Sequence, residues 1–117
     1  MALDRLARSL ECFQTLDPQM PLHFIQAFLF VAGRHSCTYA ELEKALNLTN
    51  SSVSRTLNAL GRRHRKGSRG LGLIEVYIDP EEGRRYRARL SKQGRILANQ
   101  LEKLTTTTTT TTTTADP

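Results

Sequence analysis

Tryptophan is absent from this chain of 117 residues, and cysteine occurs only twice, as Cys12 and Cys37. Two cysteines cannot build a disulfide framework and neither belongs to a C-x-x-C pair, so a reduced compartment is expected and a zinc site is not. His23, His35 and His64 show no ligand spacing with one another or with the cysteines. Long apolar runs are missing too: none approaches the roughly 18 to 20 residues a membrane span needs. The early acids Asp4 and Glu11 depart from the charged-then-apolar layout of a signal peptide, so a cytoplasmic protein is expected. No serine, cysteine or carboxylate pair stands in a nucleophile or acid–base arrangement. Gly67, Gly70 and Gly72 lead into a strand rather than from a strand into a helix, as a phosphate cradle would require. Neither an enzyme nor a cofactor or metal is expected.

What is present is positive charge, and it is regional. The net charge is +6, but residues 62 to 95 hold eleven Lys or Arg against four Asp or Glu, a local +7 that leaves −1 for the rest. A concentrated basic segment suits a polyanionic partner, although a merely solvated basic loop is the plainer alternative. Hydrophobic residues at 38% and charged residues at 24% are near the globular average, so one domain over residues 1 to 104 is expected.

Apolar spacing lays out the elements. Leu3, Leu6, Leu10 and Phe13 recur at helical steps over residues 2 to 16, and Asp17-Pro18 ends that helix. A helix from 21 to 33, starting at Pro21, carries Phe24, Ile25, Phe28, Leu29 and Val31 and is apolar on most sides, as a central core helix would be. Thr38-Tyr39-Ala40-Glu41 is a capping box opening a helix over 38 to 47, with Leu42, Ala45 and Leu46 inward. Thr49 caps the next, over 49 to 61, with Val53, Leu57 and Leu60 as its buried stripe.

Two short helices in succession are a weak signal by themselves. The outer face of the second is more telling: Asn50, Ser51, Ser52, Ser54, Arg55 and Asn58 replace the Glu and Lys mixture that usually solvates a helix. Serine and asparagine do little for helix stability. They suit base edges and phosphates in a major groove, where asparagine pairs with adenine and arginine with guanine. After Leu60 a glycine-rich cationic connector holds Arg62, Arg63, Arg65, Lys66 and Arg69. A two-stranded hairpin over 73 to 90 follows, with Ile74, Val76 and Ile78 alternating with Glu75 and Tyr77, and a turn at Asp79-Pro80-Glu81-Glu82-Gly83. On the return strand Arg85, Arg87 and Arg89 share one face and repel one another, a strain a polyanion would relieve. Ser91 caps a last helix over 91 to 104, with Ile96, Leu97, Leu101 and Leu104 apolar. Ten threonines from 105 to 114 and Ala-Asp-Pro are expected to be a disordered tail, 105 to 117.

This order predicts a fold that is mainly α with a small β-wing, a winged helix-turn-helix. Over residues 21 to 98 the chain resembles the MarR family of bacterial transcription regulators. Its most specific pieces are Val53-Ser54-Arg55 and Asp79-Pro80 through Gly83-Arg84-Arg85 to Leu90-Ser91-Lys92-Gln93-Gly94. The family's wing carries an acidic residue, any residue, then an arginine that enters the minor groove. Glu82-Gly83-Arg84 matches, so the resemblance implies that role for Arg84, with glutamate where aspartate is usual. The connector is longer and more basic than the family's, which implies extra backbone contact. The resemblance also implies a homodimer through the terminal helices, which are short here, and a small-molecule or oxidant effector, for which Cys12 among Arg5, Arg8 and Ser9 is the one candidate. Short relatives of this kind also resemble bacteriophage genes.

The expected function is therefore a sequence-specific regulator bound to double-stranded DNA. Base reading is expected from Asn50, Ser51, Ser52, Ser54, Arg55 and Asn58, and backbone contact from Arg62, Arg63, Arg65, Lys66, Arg69, Arg84, Arg85 and Arg87. A winged-helix protein-interaction module is the alternative, for which Tyr77 and Tyr86 are the main exposed large side chains to expect. RNA reading would need an aromatic stacking platform, and only 6% of the residues are aromatic.

Overall fold

The computed structural model describes residues 2–61, 70–83 and 85–115, the last ten of these by their backbone only. In chain order the elements are α1 (Ala2–Leu16), α2 (Leu22–Ala32), β1 (Cys37–Thr38), α3 (Tyr39–Leu46), α4 (Asn50–Leu60), β2 (Ile74–Ile78), β3 (Tyr86–Leu90) and α5 (Lys92–Ala115). They fall into two compact units, one of Pro21–Arg95 and one of Met1–Met20 with Ile96–Pro117.

Within Pro21–Arg95 the caps are local and strong. Thr38 Oγ1 accepts from the Glu41 amide at 3.1 Å while Glu41 Oε1 accepts from the Thr38 amide at 2.7 Å, the reciprocal pairing that opens α3. Asn47 closes α3 in the left-handed region at φ 55°, a conformation asparagine tolerates better than most residues. Thr49 Oγ1 accepts from the Ser52 amide at 3.1 Å and starts α4. Phe28, Val31, Leu42, Val53, Leu57, Leu60 and Ile74 make the core of this unit. Of the apolar positions expected on α2 and α3, two are exposed. Leu29 is exposed, so α2 buries one face rather than most of its surface, and Ala45 is exposed because the eight residues of α3 turn only the Leu42 side inward.

The expected two-stranded hairpin is one part of a three-stranded antiparallel sheet in the order β1-β3-β2. Cys37 pairs with Ala88 and Thr38 with Arg87, while β2 and β3 pair from Ile74↔Leu90 to Ile78↔Tyr86. Burial falls away along β2: Ile74 is buried, whereas Val76 and Ile78 are exposed, because the strand leaves the helices as it approaches the turn. The described end of the connector is fastened to α4, with the Leu71, Gly72 and Leu73 amides donating to the Ala59, Gly61 and Leu60 carbonyls. Ser91 joins this region to α5, since its hydroxyl donates to the Gly72 carbonyl at 2.6 Å and accepts from the Gly94 amide at 3.0 Å. Gly94 is required here: a Cβ would collide with the Leu73 carbonyl.

In the other unit Phe13, Leu97, Leu101 and Ser9 are buried, and the Ser9 hydroxyl donates to the Arg5 carbonyl. The expected end of the last helix at 104 is passed, and α5 continues through the threonines to Ala115. Threonine's deficit in helix propensity is a few tenths of a kcal/mol per residue. A helix already nucleated adds one hydrogen bond per residue fixed. Thr105 Oγ1 stays within the helix by donating to the Leu101 and Glu102 carbonyls.

Leu57, fully buried at the centre of α4's inner face, should cost about 2–5 kcal/mol when replaced by alanine. Leu29→Ala, on the exposed side of α2, should change stability by about 0.5 kcal/mol or less. Urea unfolding of both variants checks the contrast, and equal losses would contradict the placement of Leu57 in the core and of Leu29 outside it.

Candidate nucleic-acid interface

α4 presents its polar residues outward as the sequence predicts. Asn50, Ser51, Arg55 and Asn58 are exposed and Ser52 and Ser54 are half-buried, over an inner face of Val53, Thr56, Leu57 and Leu60. Arg55 Nη2 donates to Ser52 Oγ at 3.3 Å, an i to i+3 contact that holds the guanidinium along the helix. Asn50 and Ser54 border a groove of about 570 Å³, lined on its other side by Arg85, Tyr86 and Arg87 of the wing. Asn58 lies elsewhere, in a hollow of about 450 Å³ with Leu57, Gly61, Glu75, Tyr77 and Arg89. The fold thus brings the start of α4 and the turn end of β3 to one groove and leaves the far end of α4 beside the sheet.

Tyr39 and Glu43 also border the first groove, and the sequence reading missed both. Tyr39 follows directly on the capping threonine and packs against Tyr86 with ring centroids 5.9 Å apart. Burial, with a smaller contribution from Tyr86, pushes its phenol above the ordinary value and keeps it a neutral donor. Nothing in the local sequence distinguishes these two residues from an ordinary first helical turn.

The wing arginines differ from expectation. Rather than repelling one another unrelieved, each has an acidic neighbour: Arg85 pairs with Glu82 at 2.6 Å, Arg87 with Asp79 at 3.4 Å and Arg89 with Glu75 at 3.0 Å. The environments are unequal. Arg85 and Arg89 are about half exposed, and exposed pairs contribute at most about 1 kcal/mol, so a phosphate can displace either carboxylate. Arg89 also lies 4.3 Å over the Tyr77 ring. Arg87 is largely enclosed. Its Nε and Nη2 donate to Ser36 Oγ at 3.1 and 2.9 Å and its Nη1 to Asp79 Oδ2, so its donors are turned inward.

Asp79 organises the turn. Its Oδ1 accepts from the Glu81 amide at 2.8 Å and more weakly from Glu82, and its own amide donates to the Arg85 carbonyl. The Glu81 amide foremost, with Arg87 adding its charge, holds the Asp79 carboxyl below the usual carboxylate range against the opposing effect of burial. Cys37, buried in β1, has its thiol pushed up to about 11, first by burial and then by Glu41, which makes it inert as a thiolate at neutral pH. Arg62, Arg63, Arg65, Lys66, Arg69 and Arg84 lie outside the described residues. Among those described, no group of three or more His, Cys, Asp or Glu is placed to hold a metal, and no helix is long and apolar enough to cross a membrane.

Because the native Asp79 carboxyl ionises more readily than an unfolded one, its ionised form stabilises the fold fully above the ordinary carboxylate range. That contribution is lost as pH falls through the lower native value. Asp79→Asn, which retains an acceptor for the Glu81 amide, should melt below the wild type at pH 7, and the gap should narrow as pH falls below the ordinary carboxylate range. Melting temperatures across that range check it; a gap independent of pH would remove the charge from the explanation.

No family model and no curated protein matches the chain. Solved structures do. A cysteine-to-serine variant of E. coli MarR complexed with operator DNA is 20% identical, with a TM-score of 0.60 over 76% of this chain and 59% of that one. The chain therefore spans less than two thirds of that MarR chain's length. An S. aureus MepR–DNA complex is 21% identical, with a TM-score of 0.65 over 86% of this chain and 73% of that one. A single-substitution variant of S. aureus MepR bound to an oligodeoxyribonucleotide is also 21% identical, with a TM-score of 0.68 over 92% and 72%. With five helices and a small antiparallel sheet in this order, the chain has the MarR-type winged-helix fold.

Proposed function

We propose that the protein is a sequence-specific, duplex-DNA-binding transcription regulator that acts by occupying its site. The observation that carries this reading is the groove bordered by Asn50 and Ser54 of α4 and by Arg85 beside the wing turn, because it sets base-reading and phosphate-binding chemistry side by side. α4 enters the major groove with Asn50, Ser51, Ser52, Ser54, Arg55 and Asn58 toward the bases, and the wing follows the backbone with Arg84 at the adjacent minor groove. Arg62, Arg63, Arg65, Lys66, Arg69 and Arg85 neutralise phosphates. Arg87, which borders the same groove, joins them while its bonds to Ser36 and Asp79 hold the wing in position. The MarR and MepR structures solved with DNA support the partner. Catalysis forms no part of this reading.

With roughly 6 to 10 phosphate contacts, affinity for duplex DNA should fall about 10³ to 10⁵-fold between about 50 and 200 mM salt. Arg55→Ala should cost about 1–3 kcal/mol and relax sequence preference. Removing the charges of Arg62, Arg63, Arg65 and Lys66 should weaken all duplexes alike. Titrations at several salt concentrations on matched and scrambled duplexes separate the two effects, and a flat salt response would reject the electrostatic part.

The protein acts as a homodimer in this reading, because α1 leaves Leu3, Leu6 and Leu10 exposed at 74%, 52% and 39% and α5 adds Ile96 at 46%, all within one compact unit. A dimer would read half-sites about 10 bp apart. Light scattering at micromolar concentration should give twice the chain mass, and Leu6→Glu with Leu10→Glu should give the monomer. A wild type that scatters as a single chain would leave these leucines without a partner of their own kind.

One observation favours a second reading, a protein-interaction module: Ile78 and Tyr86 sit opposite each other in the wing and both are about half exposed. It would be preferred if the salt titrations find no duplex binding.

A further inference from the structure

We propose that Glu43, on the helix preceding the recognition helix, selects the kind of base edge that Asn50 accepts. The inference rests on the DNA-binding reading above and sharpens it to one base position. Asn50 is the first residue of α4, directly after the Thr49 cap, and the N-terminal residues of a recognition helix are those that meet base edges. Its Nδ2 donates to Glu43 Oε2 at 2.9 Å, across the turn from α3 to α4. An ionised carboxylate only accepts. The amide therefore cannot turn over: its nitrogen stays on the Glu43 side, and Oδ1 is carried to the other. Asn50 is exposed, Glu43 is half-buried, and both border the groove shared with Ser54 and Arg85.

A base reaching this pair meets an acceptor oxygen with a negative charge beside it. In the major groove cytosine offers the N4 amine and adenine the N6 amine, whereas guanine offers N7 and O6 and thymine O4. Amine edges gain a hydrogen bond to Asn50 Oδ1. Carbonyl edges find only the second N–H of an amide already held by a carboxylate, and must approach that carboxylate to use it. A free asparagine can present either end of its amide, so the asymmetry comes from Glu43 and not from Asn50 itself. Glu43 is thus a positioning residue whose effect appears as base preference: one position of the bound sequence favours A or C over G or T on the strand that Asn50 faces.

The test is selection from a randomised duplex library with the wild type, Glu43→Gln and Asn50→Ala, all checked for unchanged helical content. The wild-type pool should contain one position with about fivefold enrichment of A and C over G and T, the worth of one hydrogen bond. Glu43→Gln can donate to Asn50 Oδ1 and lets the amide reverse, so that enrichment should vanish or shift toward G and T while the other positions keep theirs. Asn50→Ala should lose the same position only. A Glu43→Gln pool identical to the wild type at every position overturns the inference and leaves the DNA-binding reading standing. A wild-type pool without any consensus overturns both.

Discussion

The guanidinium of Arg87 ties the wing and its turn to a segment 51 positions earlier in the sequence. It reaches Ser36 ahead of β1 and Asp79 at the wing turn while its own backbone pairs with Thr38 and Tyr77. A planar fork with five donors suits this position as a lysine would not, because Ser36 takes two donors and Asp79 a third in fixed directions. In the proposed reading, the wing's value as a DNA-contacting element depends on that tie. A two-stranded ribbon is marginally stable in water, and this one gains a third strand at β1 and a side-chain strut beneath its turn.

From the strut the rest of the geometry follows. β1 runs directly into the capping box of α3, so fastening β3 to β1 also sets the wing relative to the first helix of the pair. α3 in turn holds the start of α4 through Glu43 and Asn50. The groove between the wing and α4 is thus bounded by elements linked through short polar contacts. The arginines divide accordingly. Arg87 is held by Ser36 and Asp79, while Arg85 and Arg89, in exposed pairs of small worth, remain exchangeable.

Helix starts were legible in the sequence because their causes lie within three residues: Thr38 with Glu41, Thr49 with Ser52, Ser91 with Gly94. The polar face of α4 was legible for a different reason, since its serines and asparagines go against helix propensity and so call for another explanation. What escaped was non-local. Ser36 and Arg87 stand 51 positions apart, and two residues of strand at Cys37 and Thr38 carry no periodicity to detect. The burial gradient along β2 escaped as well, because Ile74, Val76 and Ile78 are equivalent by alternation and differ only in how far each stands from the helices.

Polar residues at such a surface are commonly assigned to recognition by type, asparagine to adenine and arginine to guanine. The contacts here argue for a finer rule. Asn50, Ser52, Arg55 and Arg85 each already have a partner on the protein, and what each offers a ligand is whatever that partner leaves over. For Arg55 the partner is a neutral hydroxyl, which leaves the guanidinium its charge and most of its donors. For Arg85 it is an exposed carboxylate, exchangeable for a phosphate. For Asn50 it is a carboxylate on a neighbouring helix, which fixes the amide's orientation without consuming its acceptor oxygen. In the proposed reading, specificity at such a site is set by the second residue of each pair as much as by the first.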